Sequence, residues 1–283
     1  MSTIGGLGRF GVYTFDFEHQ PPALMRDSVR ELEERGWRAF WFPEVGGREA
    51  FSQAGFLLAA TERIHVVNGI AQIPARSARA THGGAALLAA AYPGRHLLGL
   101  GISQGLPGTT PLAATTGYLD ELDAFDAPVP RVLAAYGPKM LGLARDRAAG
   151  AHTYHVNVAH TAQAREILGA DAFLGVEHPV LFETDPARAR AVAREHLHRY
   201  LTTRFNVAKY RRLGYSADEI AGGGSDRIID DMVFWGDLDT IAKKLHGHVA
   251  AGADHVAVQV IGVQPGESAL PWWRELGDAL LPG

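Results

Sequence analysis

The sequence predicts an α/β protein built as one closed (β/α)8 barrel, and three observations carry that expectation. Its 283 residues suit a single such barrel, which typically takes about 250. Short apolar runs alternate with helical segments from one end to the other. Those runs are continuously apolar, as expected of parallel strands buried on both faces. Eight of them favour a closed barrel over a doubly wound open sheet, the alternative architecture.

The elements follow in order. Residues 10–15 (FGVYTF) are aromatic and β-branched and read as strand one. Residues 21–35 follow as a helix, with Pro at its start and Gly36 past its end. Residues 39–43 (AFWFP) form strand two and 50–61 a helix. Residues 64–73 (IHVVNGIAQI) form strand three, interrupted by Gly69; 77–91 is an Ala-rich helix. Strand four is 96–103, then a helix at 115–125. Strand five is 131–136, then a helix at 138–149. Strand six is 151–158, then a helix at 161–169. Strand seven is 178–184. A helical excursion follows: a long stretch at 186–210 with a break near Asn206, a short turn at 216–221, and helices around 226–234 and 237–251. Gly222, Gly223 and Gly224 break it, as a lid hinge or a plain connector. Residues 254–261 (DHVAVQVI) form strand eight and 271–280 the last helix. No internal repeat, low-complexity tract or linker divides residues 1–283, so one barrel domain is expected.

Composition excludes several functions. The net charge is -4 and no Lys/Arg block appears, which argues against nucleic acid as a partner. The absence of cysteine removes thiol nucleophiles and thiolate metal sites. The thirteen histidines match no HExxH pattern or carboxylate–His cluster, so no metal is expected. His152 and His155 would point to opposite faces of strand six, and His65 reads as a core or barrel-base residue. No apolar stretch approaches the length of a membrane span, and no signal pattern precedes strand one; a cytoplasmic location is expected.

In this fold, chemistry sits at the C-terminal ends of the strands. The turn Ala135-Tyr136-Gly137-Pro138 ends a strand and opens a helix, whose free N–H groups could accept a phosphate; an ordinary tight turn is the alternative. Gly99 and Gly101 either leave the backbone bare for a flat ring or meet a packing need. Gly69 marks a bulge or a close backbone approach. Glu44, at the end of strand two, is a candidate proton donor or the partner of Arg48 or another basic side chain. His155, near the mouth, is a second candidate for touching substrate.

Five segments keep order and spacing with a known group: ELEERGWRAFWFPE (31–44), RIHVVNGIAQIPAR (63–76), AYPGRHLLGLGIS (91–103), PRVLAAYGPKMLGLARDRAAGAHTY (130–154) and AGADHVAVQVI (251–261). Through them the chain resembles the luciferase-like monooxygenase superfamily of TIM barrels, and within it the deazaflavin (coenzyme F420)-dependent oxidoreductases. The resemblance implies a non-prolyl cis peptide at Gly69–Ile70 backing the cofactor ring. It implies phosphate or tail contacts from Ala135, Tyr136, Gly137 and Pro138, and further contacts at Gly101 and Ser103. It also implies two departures. The subgroup's His after the acidic residue of strand two is Val45 here, and its Glu after strand four is Gln104.

The expected function is hydride transfer between F420 and a small organic substrate, with Glu44 or His155 as proton donor. The alternatives are an FMN-dependent monooxygenase supplied by a partner reductase, and a barrel that binds cofactor or ligand without catalysis. A homodimer is expected by analogy.

Overall fold

The structure, a computed structural model, describes residues 4–103, 106–125, 129–264 and 267–281. The strands are β1 (Phe10–Tyr13), β2 (Ala39–Phe42), β3 (His65–Asn68), β4 (Ala71–Gln72), β5 (His96–Gly101), β6 (Arg131–Ala134), β7 (Gly150–Thr153), β8 (Phe173–Phe182), β9 (Phe234–Gly236) and β10 (His255–Val260). All the pairings are parallel. They run β10-β1-β2-β3-β5-β6-β7-β8 and close through β10 on β8, so eight strands make a barrel. β4 continues β3 past a break, and β9 adds to β8.

The surrounding helices are α1 (Pro22–Glu34), α2 (Ala50–Ala60), α3 (Ala78–Ala91), α4 (Pro111–Asp123), α5 (Pro138–Arg147), α6 (Val158–Leu168), α7 (Pro186–Thr202), α8 (Arg204–Arg212), α9 (Ala217–Ile220), α10 (Asp226–Met232), α11 (Leu238–Ala250) and α12 (Leu270–Leu280). Most open on a side-chain cap: Ser77, Thr110, Asn157, Asp185, Ser225 and Asp237 each accept a backbone N–H of the first turn. Such caps stabilise a helix by typically ~1 kcal/mol each.

Two apolar layers follow from strand alternation. One face of each strand packs on the helices, and the other fills the barrel with Tyr13, Trp41, Val67, Leu97, Val132, Phe173 and Ala257. The filling is partly polar. Trp41 donates its indole N–H to His255 Nε2 at 2.9 Å, so His255 Nδ1 carries the hydrogen that reaches Gly8 O at 2.7 Å. Burial pushes His255 down to about 4 and His152, stacked on Trp41, down to about 3, so both rings are neutral.

Four expectations need correction. Strand six, expected at 151–158, ends at Thr153, and Asn157 caps the helix that begins at Val158. Strand seven begins at Phe173, five residues before 178, because FLGVEHPVLF is one continuous buried run despite its glutamate. The helical break after it falls at Thr203 rather than Asn206. Residue 234 is in a strand that the helical reading of 226–234 missed. The excursion from α7 to α10 has its own core, in which Leu197, Tyr210, Ile228 and Met232 meet Leu181 and Ile261 from the ends of β8 and the segment after β10. It therefore packs on the barrel mouth. The triple glycine is a tied-down turn: all three residues have positive φ, Arg194 donates to Gly224 O at 3.2 Å, and Leu201 and Ile228 press on Gly224.

Candidate functional site at the barrel mouth

Glu44 leaves β2 with its carboxylate fully engaged. Oε1 accepts the Ala50 N–H at 3.1 Å; Oε2 accepts the Gln72 N–H at 2.8 Å and Arg76 Nη1 at 2.8 Å; Arg76 Nη2 closes the pair on Oε1. The Glu44 carbonyl accepts Gln72 Nε2 at 2.7 Å, and Gln72 Oε1 accepts the Ser103 hydroxyl at 2.7 Å. This chain ties the ends of β2, β4 and β5 together. A carboxylate met by four N–H donors has no hydrogen to give, so the proton-donor expectation for Glu44 is corrected to a positioning role. Its partner is Arg76; Arg48 instead meets Glu18 and Gln20. Val45 beside it is exposed, and Gln104 lies outside the described residues.

The break between β3 and β4 is a cis peptide at Gly69–Ile70. The Tyr13 hydroxyl donates to Gly69 O at 2.5 Å from inside the barrel. A Cβ on Gly69 would lie 2.8 Å from the Tyr13 ring, and one on Gly99 1.9 Å from Asn68 O. One on Gly101 would lie 2.4 Å from Ile70 Cδ1 and 2.7 Å from Ala134 Cβ. The bare slot expected at Gly99 and Gly101 is thus occupied by the bulge itself, and packing accounts for both glycines. Gly69 and Gly101 meet at Ile70, whereas Gly137 has Arg212 Nη2 as its nearest neighbour, 3.9 Å from a would-be Cβ.

The turn after β6 opens α5 without a side-chain cap, as α1, α8 and α12 also open, but here a guanidinium stands beside it. Gly137 caps α5 with no side-chain hydrogen bond, and Pro138 is its first residue. Ala135 is buried and bonds to His152 O at 3.0 Å; Tyr136 O accepts His160 Nε2 at 2.8 Å. Arg212 and Lys209 of α8 both face the Tyr136 ring, 5.8 and 5.5 Å from its centroid. An uncapped helix start with a guanidinium beside it suits an anion.

His155 sits just past β7 with a left-handed backbone (φ 48°), which breaks the strand alternation expected to set it opposite His152. Its ring stacks on Tyr154 at 4.1 Å and meets Tyr200 edge-on at 4.3 Å. Burial holds it well below the ordinary imidazole range. Its backbone N–H reaches Glu177 Oε2 at 3.2 Å. Burial pushes Lys209, from α8, down to about 7, and its ammonium donates to Tyr154 O at 3.2 Å. Glu177, His196, Tyr200, Lys209 and Arg212 were missed in sequence. Glu177 had a signal, a lone charge in an apolar run; Lys209 and Arg212 lay hidden in the basic helix RFNVAKYRR.

Among the described residues no three His, Asp or Glu side chains gather as a metal set, and no helix is long and apolar enough to cross a membrane. Cavities of about 270 and 360 Å3 lie away from the mouth, one lined by His82, Leu122 and Arg131, the other by Arg145, Leu168 and Asp171.

Residues 9–114 match the luciferase-like monooxygenase family. A Mycobacterium tuberculosis protein, provisionally named a coenzyme F420-dependent oxidoreductase, is 24% identical over 84% of this chain and 91% of its own length. The coenzyme F420-dependent tetrahydromethanopterin reductase of Methanopyrus kandleri superposes with a TM-score of 0.77 at 15% identity, covering 97% of this chain and 99% of the other. The oxygenating constituent of 3,6-diketocamphane monooxygenase from Pseudomonas putida, solved with FMN, gives 0.66 at 14% identity, covering 95% and 96%. Residues 9–114 are thus similar in sequence to the luciferase-like monooxygenase family, and over almost its whole length the chain has the (β/α)8 barrel fold of these solved structures.

Proposed function

We propose that this protein is an oxidoreductase that binds coenzyme F420 at the C-terminal mouth and acts on a small organic substrate. The observation that carries this is the uncapped start of α5 with Arg212 beside Gly137, at the strand ends where barrel enzymes bind ligands. Ala135, Tyr136, Gly137 and Pro138 would hold the cofactor's phosphate-bearing tail. Gly69 and Ile70 would back its ring, with Gly101 and Ser103 at the neighbouring strand end. When bound, the cofactor supplies hydride chemistry that no side chain here can provide. The chain's own part is to orient the ring, exclude water and manage a proton. Glu44, through Gln72 and Ser103, fixes the rim; His155 is the mouth's imidazole. The M. tuberculosis relative's name supports F420 over FMN. A homodimer, a reductase partner and a cytoplasmic setting complete the proposal; light scattering tests the first.

Fluorescence titration of the purified chain with F420 and with FMN is the decisive measurement. F420 binding that weakens about tenfold in Arg212→Ala, the loss of one charge-assisted contact, is the expected result. Tight FMN binding without F420 binding would make it a flavin monooxygenase instead. Binding of neither would remove the oxidoreductase reading.

A further inference from the structure

The wall of the mouth across from Glu44 holds buried titratable groups that no ordinary ion pair satisfies. Glu177 stands mid-strand in β8, level with Ala257 of β10, and is completely buried. Its Oε2 has one long hydrogen bond, from the His155 backbone, and lies 4.0 Å from His155 Nε2. Its Oε1 is buried with no hydrogen-bond partner. A carboxylate so poorly solvated is costly as an anion, so the group keeps its proton. Burial accordingly holds it well above the ordinary carboxylate range.

The surroundings are specific. Tyr13 of β1, Tyr154 beyond β7, Tyr200 of α7 and Tyr210 of α8 lie within electrostatic reach of Glu177. Lys209 is the nearby cation, but its bond goes to Tyr154 O. From the solvent side comes His196 of α7, only partly buried, with Nε2 3.3 Å from His155 Nε2. Burial holds His196 near 4, so it too is neutral at rest. The left-handed turn at His155 is what aims both its N–H and its ring at Glu177. A non-glycine residue in that conformation, beside an unsatisfied acid, is a common sign of function.

We propose that Glu177 is the proton store of the mouth, refilled from solvent by way of His196 Nε2 and His155 Nε2. The proposal rests on the oxidoreductase reading, in which hydride delivery to a carbonyl- or imine-type substrate requires a proton as well. Glu177 breaks its O–H bond and gives that proton to the substrate heteroatom. The carboxylate left behind draws His155 into contact across the 4.0 Å gap. Water protonates His196 at Nδ1, the resulting imidazolium passes its Nε2 proton to His155 Nε2, and His155 passes it to Glu177 Oε2, so that neither ring gives up its last N–H. No electron moves in these steps, and one solvent proton is consumed per substrate reduced. His155 is too weak a base to charge while Glu177 is neutral, so refilling follows only after the store empties.

The test uses the full chain and does not require a known substrate. An infrared difference between wild type and Glu177→Gln isolates the Glu177 acid band, and rapid mixing into heavy water reads its exchange. The expected result is a protonated band at neutral pH. Its exchange should be roughly a hundredfold slower in His196→Phe, the low end of what a positioned proton-transfer group contributes. Partial recovery is expected in His196→Gln, which keeps a polar group. An ionised Glu177 at neutral pH, or equal exchange in wild type and His196→Phe, overturns the store. The same samples are titrated with F420 and FMN. Cofactor binding with exchange independent of His196 overturns the store and keeps the oxidoreductase reading. Exchange as expected with neither cofactor bound keeps the proton path but overturns its redox purpose.

Discussion

The two sides of the barrel mouth are built on opposite principles. Around Glu44, between β2 and β5, the carboxylate oxygens, the guanidinium and the Gln72 amide are paired, so this rim has one geometry. Around Glu177, between β7 and β10, an acid, a histidine and a lysine are buried, with the half-buried His196 beside them, and few bonds join them, so their protonation is free to respond to what arrives. The contrast teaches that charge count does not locate reactivity. Both sides carry an acid and a base, but only the unsatisfied side can exchange protons cheaply.

The largest expected effect follows from the unsatisfied burial. Burial lowers His96, His196 and His255 to about 4 and His152 and His248 to about 3 in the folded chain. Unfolded, each titrates near ~6.5, so the unfolded chain binds more protons below that pH and stability falls as pH drops. The melting temperature should decline steeply from about 6.5 downward, with acid unfolding complete near about 4. A flat profile across that window would contradict the assigned neutrality of these rings.

The satisfied side should respond next. Arg76→Ala leaves the Glu44 carboxylate part-buried and unpaired, since both side chains are only 10 and 13% exposed. A loss of about 3 kcal/mol in a urea titration is expected, and the pair Glu44→Gln with Arg76→Met should recover much of it. Near-wild-type stability in Arg76→Ala would show that the clamp holds nothing.

Gly101→Ala comes third. Its methyl would overlap Ile70 and Ala134, costing about 1–3 kcal/mol, whereas a methyl at Gly137 would meet only Arg212 Nη2, at an ordinary contact distance of 3.9 Å, and should cost less than about 0.5. Equal effects at the two positions would undo the packing account of the β5 glycines. The smallest change is Lys209→Met. Folded Lys209 titrates near about 7 against 10.5 for the ordinary group, so its burial penalty is full below about 7 and fades as pH rises. The variant should melt higher by about 1 kcal/mol of stability at neutral pH, with the gain shrinking in alkali. A loss at neutral pH would mean that its bond to Tyr154 outweighs desolvation.

What the sequence alone determined follows from local rules. Apolar runs gave eight barrel strands, Pro and Gly punctuation gave most helix limits, and strand ends located the mouth. The uncapped turn before Pro138 was visible because a cap is a matter of adjacent residues. Tertiary structure alone decided the partners. Glu44 could be seen at a strand end, but not that Arg76, thirty-two residues later, would saturate it. Gly101 could be seen as small, but not that Ile70 would fill its space. Glu177 could be seen as a lone charge in an apolar run, but not that distant residues would enclose it. Lys209 and His196 enter that enclosure from α8 and α7, which dock on the mouth by packing their own core against β8 and the chain after β10. Those contacts join residues far apart in the chain, and only the folded barrel brings them within bonding range.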